Sequence, residues 1–225
     1  MRRVAAALAA TCAVAAATAA GAGATNECRG LQVCVPVAGP WVVATGAAEV
    51  RYELACPKRF VVAGLDAELS SKHVDVAFRG ALGSPVNPGI TTSTSAVFLA
   101  RVLTVTGPAV FRPHIGCIPA QGGGQRFPTA NRPVSPGQPL APTAVQLTVT
   151  PGVHRFVERC PAGKRLAGAS HAVGFYTTAV PGPAQMRSVV VTQRIAGDRV
   201  FVTVRATAAF AHTVVQVDLD CAAAA

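Results

Sequence analysis

Aromatic side chains are scarce in this chain of 225 residues: nine Phe, two Tyr and a single Trp. Trp41, Tyr52 and Tyr176 are the only Trp and Tyr residues, a poor supply for the stacking platforms that interleave with charge in nucleic-acid binders. A carbohydrate module resting on ring stacking is disfavoured for the same reason, which leaves hydrogen-bonding, lectin-like sites open. No window beyond the first two dozen residues shows helical periodicity. No run of basic residues marks a polybasic patch. The signatures of metal and cofactor chemistry are missing as well. His73, His114, His154, His171 and His212 form no His-Glu-x-x-His spacing, and no close Cys or His doublet suits zinc. Gly122-Gly123-Gly124 lacks the following Lys-Ser/Thr and helix of a phosphate loop. No catalytic residue, cofactor or metal is therefore expected.

What is present is a leader pattern and a cysteine framework. Arg2-Arg3, an alanine-rich apolar run and small residues ending Ala22-Gly23-Ala24 read as a signal peptide over residues 1–24. The run is too weakly hydrophobic for a permanent span, and Cys12 belongs to it. Beyond it stand six cysteines, and an even number in an exported chain means disulfides. Cys56 and Cys117 are sixty-one positions apart, as are Cys160 and Cys221. An offset of 104 residues superimposes both pairs. It also lays Ala63-Gly64 on Ala167-Gly168, Arg51 on Arg155, Ser84 on Ser188 and Arg101 on Arg205. A duplicated unit that closes on itself predicts Cys56–Cys117 and Cys160–Cys221, leaving Cys28–Cys34 as a small loop. Each long bridge contributes about 4 kcal/mol on a chain-entropy account.

The mature chain divides into a lead-in (25–39), a first unit (40–119), a Pro/Gly-rich linker (120–143) and a second unit (144–225). In the first unit, strands are expected over 49–54, 73–78, 95–106 and 109–117. In the second they are expected over 144–150, 153–160, 164–170, 173–180, 186–195, 199–210 and 213–221. Alternating patterns and β-branched composition carry these assignments. The expected fold is all-β: two tandem disulfide-stapled β-sandwich domains, immunoglobulin-like or jelly-roll-like, after a cleaved signal peptide. No Trp follows the first cysteine of either pair, and Ile115 and Leu219 stand where an immunoglobulin domain has its corner tyrosine.

Cys160-Pro161-Ala162-Gly163-Lys164, Leu166-Ala167-Gly168 and Asp220-Cys221-Ala222 resemble the Cys-Pro-x-Gly-Lys…Gly…Cys-Ala repeats of secreted proteins from high-GC bacteria and of some phage tail-associated proteins. The resemblance covers about eighty residues and implies a disulfide-closed β-rich module of a kind without an established enzymatic role. The first unit departs from it, with Lys58-Arg59-Phe60 in place of the Gly-Lys turn.

Candidate chemistry is thin. His73 with Asp75, and His154 with Glu158, share strand faces and read as surface pairs. Gly168-Ala169-Ser170-His171-Ala172 lacks the closing glycine of a nucleophile elbow and lies outside a strand-to-helix turn. Asp218 and Asp220 share a face of the last strand with Gln216 and read as solvated; no Asp-rich loop completes a calcium site. A glycosidase pair needs a cleft and a defined separation, and neighbours two apart on one strand, about 7 Å between Cα atoms, fit a solvated face better. Trp41 reads as packing. Without Arg2 and Arg3 the chain keeps eighteen basic residues against ten acids, a formal +8. Such a charge suits anionic partners such as wall polymers, lipid headgroups or nucleic acid; the lack of a basic run and of aromatic platforms sets nucleic acid aside, and the expected partner is an anionic envelope polymer or another secreted protein. The expected function is that of a secreted, non-enzymatic binding or structural protein of the cell envelope. The alternatives are a hydrolase with its site between the units, and an inhibitor or effector presenting the Cys28–Cys34 loop.

Overall fold

The computed structural model describes residues 26–29, 34–46, 48–80, 94–103, 109–120, 143–207 and 212–223. The expected leader, Cys12, Ser84, the Gly122-Gly123-Gly124 run and almost all of the linker lie outside the described residues. The described chain is nearly all antiparallel β. Its first half carries β1 (Val35–Ala38), β2 (Trp41–Ala44), β3 (Val50–Ala55), β4 (Phe60–Leu69), β5 (Val74–Gly80), β6 (Ser95–Val102) and β7 (Ala109–Pro119). Its second half carries β8 (Thr143–Val149), β9 (Gly152–Arg159), β10 (Lys164–Phe175), the helix α1 (Pro183–Arg187), β11 (Val189–Ala196), β12 (Arg199–Ala206) and β13 (Thr213–Ala223).

Each half sets a three-stranded sheet, β3-β6-β5 or β9-β12-β11, against strands of one large sheet. Apolar residues alternate inward from both layers. Val50, Tyr52 and Leu54 of β3 meet Phe98 of β6 and Phe111, Ile115 and Cys117 of β7 in one core. Val200, Val202 and Val204 of β12 meet Val215, Val217 and Leu219 of β13 in the other. The bridges Cys56–Cys117 and Cys160–Cys221 tie the two layers of each half together, with Cα atoms 5.8 and 5.7 Å apart. Cys28–Cys34 closes the small loop, as expected from the sequence.

Details of the two halves coincide at the 104-residue offset. β6 and β12 span residues 95–102 and 199–206, and β7 and β13 span 109–119 and 213–223. β4 breaks register against β7 between Val62 and Gly64, and β10 breaks register against β13 between Leu166 and Gly168. The shared Ala-Gly phrase is thus a β-bulge, one extra residue that bends each long strand. The turns before those strands also match: Phe60 N–H donates to the Pro57 carbonyl and Lys164 N–H to the Pro161 carbonyl. The third residue of each turn has positive φ, 70° at Arg59 and 77° at Gly163.

The halves are not strung out along a linker. They share a continuous seven-stranded sheet, and β2 is the strand between them. Val42, Val43 and Ala44 pair with Phe111, Val110 and Ala109 of β7, while Trp41 and Val42 pair with Phe175 and Gly174 of β10. The packing interlocks too, since Ala172 of β10 lies in the first half's core and Val43 of β2 packs against the second's.

Three local expectations change. The strands expected at 164–170 and 173–180 are one, β10, because Ala172 has a neighbouring core to enter and the chain does not turn there. The expected start of a strand at 186 is the end of α1, which opens with Gly182-Pro183, a proline fixing the first helical φ. No strand was expected where β1, β2 and β4 lie, and β4 is ten residues long.

Candidate functional site: the seam between the halves

The polar face of β13 is covered, not solvated. Gln216 is 4% exposed and Asp218 7%, because β3 of the first half lies against them. This overturns the expectation that Asp218, Asp220 and Gln216 form a solvent-facing surface. Period-two patterning reveals a polar face but not a second sheet placed over it.

The joint is made of charge-assisted and amide hydrogen bonds. Glu53 N–H donates to Gln216 Oε1 at 2.6 Å, and Gln216 Nε2 donates to the Glu53 carbonyl at 2.9 Å. One side-chain amide thereby satisfies both main-chain groups of a residue on the outer edge of β3, an edge that would otherwise be open. Beside it, Arg51 Nη1 donates to Asp220 Oδ1 at 2.8 Å, and Arg51 Nε lies 3.4 Å from Glu49 Oε1. Arg101 Nη2 reaches the other oxygen of Glu49 at 2.9 Å. Tyr52 donates from its hydroxyl to Gln146 Oε1 at 3.2 Å.

These surroundings shift the titration of four groups. Burial opposes ionisation of Glu49, but its hydrogen bonds and charge attraction to Arg101 and Arg51 win and hold it below the usual carboxylate range. Burial likewise opposes the Arg51 charge, and Asp220 and Glu49 outweigh it and raise its pKa. Burial raises the Tyr52 phenol, with Tyr176 adding to it. Asp218 is pushed up by burial first and by Asp220 second, with Arg51 only partly offsetting them. Its Oδ1 and the Oγ of Ser170, its register partner on β10, are both buried without a hydrogen bond.

An open cleft of about 500 Å³ follows this seam, walled by Glu53, Leu54, Gln146, Tyr176 and Gln216 and by the end of β1. It presents amide, phenol and carboxylate groups. A second hollow of about 240 Å³ runs along β10, between Val50, His171, Met186 and Val189.

The remaining sequence candidates do not converge here. Ser170 and His171 are consecutive on a strand and face opposite ways; His171 Nδ1 lies 3.1 Å from Gln193 Oε1, and Gln193 Nε2 donates to the Ala169 carbonyl. His154 Nε2 lies 2.8 Å from the Thr150 carbonyl, a local contact away from Glu158. The backbone of His73 is held in a turn, its N–H bonded to Ser71 Oγ. Trp41 is 5% exposed, with Arg112 over its ring at 6.0 Å. Among the described residues no cluster of His, Cys, Asp and Glu could hold a metal. No helix among them is long and apolar enough to cross a membrane.

Sequence reasoning missed the lead-in. Glu27 is 5% exposed, and Asn26 N–H donates to Asp66 Oδ2. His114 lies between carboxylates, 3.6 Å from Glu27 and 3.5 Å from Glu68. The Glu27 carbonyl sits so close over Gly64 and Gly116 that a Cβ at either position would strike it. Gly116 corresponds to Asp220 at the 104-residue offset. The lead-in therefore covers on the first half the place that β3 covers on the second. The glycines were the available signal, since a strand interior keeps Gly where another backbone approaches. Of the loop itself, residues 30–33 lie outside the described residues.

The chain matches no family model, no curated protein and no solved structure.

Proposed function

We propose that this is an exported, non-enzymatic binding or structural protein of the cell envelope, built by duplicating one disulfide-stapled β-module of the Cys-Pro-x-Gly-Lys type. The observation that carries the reading is the seam. Glu53 with Gln216 and Arg51 with Asp220 are engaged with one another across the joint, and the cleft beside them offers hydrogen-bonding groups with no Ser, Thr, Cys or His among its lining residues. Rigid sheets on both sides of such a cleft preorganise it for binding. Coincident bulges, turns and bridges support the duplication. Three disulfides in one chain fit an oxidising compartment outside the cytoplasm.

The test has two arms, both on the chain from residue 25. Titration with isolated anionic envelope polymer is expected to give saturable binding that weakens as salt screens the arginines. Assays with peptide, ester and glycan substrates are expected to stay flat. Turnover by pure protein, abolished by His154→Ala, Glu158→Gln, Ser170→Ala or His171→Ala, would establish the hydrolase instead.

A further inference from the structure

The outer face of the second half's three-stranded sheet carries a concentration of one charge. Along β9 the outward residues are Val153, Arg155, Val157 and Arg159; along β12 they are Arg199, Phe201, Thr203 and Arg205. β11 adds Val190, Thr192 and Arg194. The register sets these side by side: Arg159 opposite Arg199, Phe201 between Val157 and Arg194, and Arg205 between Val153 and Val190. All five arginines are exposed. Val153, Val157 and Val190 are exposed as well, at 54%, 48% and 52%.

This face holds no carboxylate. Among the described residues one ion pair touches it, Arg199 with Asp198 in the adjoining turn at 3.8 Å. Glu158 is the other nearby acid, lining a hollow of about 370 Å³ with Arg159 and Arg199 at the rim. Directly opposed like charges destabilise a sheet, so Arg159 against Arg199 calls for an anion. The rest of the chain cannot supply it. All ten acidic residues belong to the described segments, and the linker, the lead-in loop and the other segments outside them contain none. The matching face of the first half differs in kind, since Glu49, Glu53 and Asp75 there balance Arg51 and Arg101.

We propose that this face seats the protein on an anionic phospholipid bilayer. The proposal rests on the binding-protein reading above and names the partner. Charge complementarity asks for a dense array of phosphates, and the valines decide which array. On a hydrated polymer, alternate Val residues at half exposure would gain nothing. At a bilayer interface they enter the boundary between headgroups and acyl chains, while each guanidinium reaches outward to pair with phosphate oxygens. The Arg194 guanidinium lies over the Phe201 ring, 4.9 Å from its centroid, which fixes its charge on this face.

The experiment is co-sedimentation of the chain from residue 25 with vesicles of phosphatidylcholine alone and of phosphatidylcholine mixed with phosphatidylglycerol. Isolated anionic wall polymer is run in parallel. Binding is expected to the mixed vesicles and to fall as salt rises. Arg155→Ser/Arg194→Ser/Arg205→Ser should weaken it about tenfold or more, and Val153→Ser/Val157→Ser should also weaken it. Lys58→Ser/Arg59→Ser/Lys72→Ser, which removes the same charge from exposed positions elsewhere, should leave it unchanged. Equal binding to pure phosphatidylcholine, or equal losses in the two triple variants, overturns the proposal. Capture of wall polymer without vesicle binding also overturns it while leaving the binding-protein reading intact. Hydrolytic turnover would remove that reading without altering the vesicle result.

Discussion

Arg59 stands at φ 70°, in the left-handed region, where the second half has Gly163 at 77°. The turn geometry belongs to the module and the residue does not suit it. A side chain there costs about 1–2 kcal/mol, partly offset by the greater unfolded-state freedom of Gly. Arg59→Gly is therefore expected to stabilise the protein by about 0.5–1 kcal/mol, read as a higher urea midpoint at unchanged slope. A lower midpoint would mean that the Arg59 side chain contributes a contact outweighing the strain. Asp218 gives a second prediction. Its folded pKa lies above the unfolded value, so between the two the native state holds a proton that the unfolded chain has released. Stability from this group is present at low pH and is lost as pH rises through the folded pKa. Glu49 acts in the opposite sense: its depressed pKa contributes stability above the unfolded value that disappears as pH falls. Asp218→Asn, which removes the buried charge beside Asp220, should raise stability at pH 7 by about 1 kcal/mol. The gain should shrink on acidification to about pH 3, below the 3.8 of the unfolded group, where wild-type Asp218 is largely protonated in both states. An equal effect at both pH values would place its origin in packing.

At the level of strands and turns, legibility followed the range of the interaction. The Ala-Gly phrase and the cysteine spacing are local and repeated, and they located the bulges and bridges. β3, β9, β12 and β13 were legible because alternation reports one buried face. β10 was split in the sequence because His171 and Ala172 interrupt its aliphatic pattern. Nothing near residue 172 says that a neighbouring core receives Ala172. β2 is four residues whose partner across β10 lies in the other half, and no local signal encodes that. The candidate site suffers most from this limit. Gln216, Asp218 and Asp220 stand out in the sequence as the polar face of one strand and Arg51 as a repeated position, yet their meaning depends on β3 lying over β13.

For the molecule as a whole, the seam makes a definite statement about what cleavage does. No disulfide joins the halves; each long bridge lies within one of them. Cutting between residues 120 and 143 leaves the β2–β10 pairing, the Gln216 amide bridge and the Arg51–Asp220 pair in place. The two fragments are expected to co-elute under native conditions. Gln216→Ala, which strands the N–H and carbonyl of Glu53, should weaken their association by about 1–3 kcal/mol, measured by dissociation of the nicked protein on dilution. Fragments that separate freely without the substitution would show that the seam contributes little.

β2 also imposes an order in time. One of its edges is met by β7 within the first half, the other only by β10, which begins at Lys164. A chain made from its N-terminus can oxidise Cys56–Cys117 before β10 exists. It then waits, covalently closed, with unmet main-chain donors along β2 and along β3. Pairings between distant segments form late, and an uncapped edge during that delay accepts any compatible strand, including the β10 of a neighbouring copy. Exchange of halves between two chains is thus the failure inherent in this architecture. Its probability rises with the crowding of nascent chains and falls with the speed at which the second half arrives.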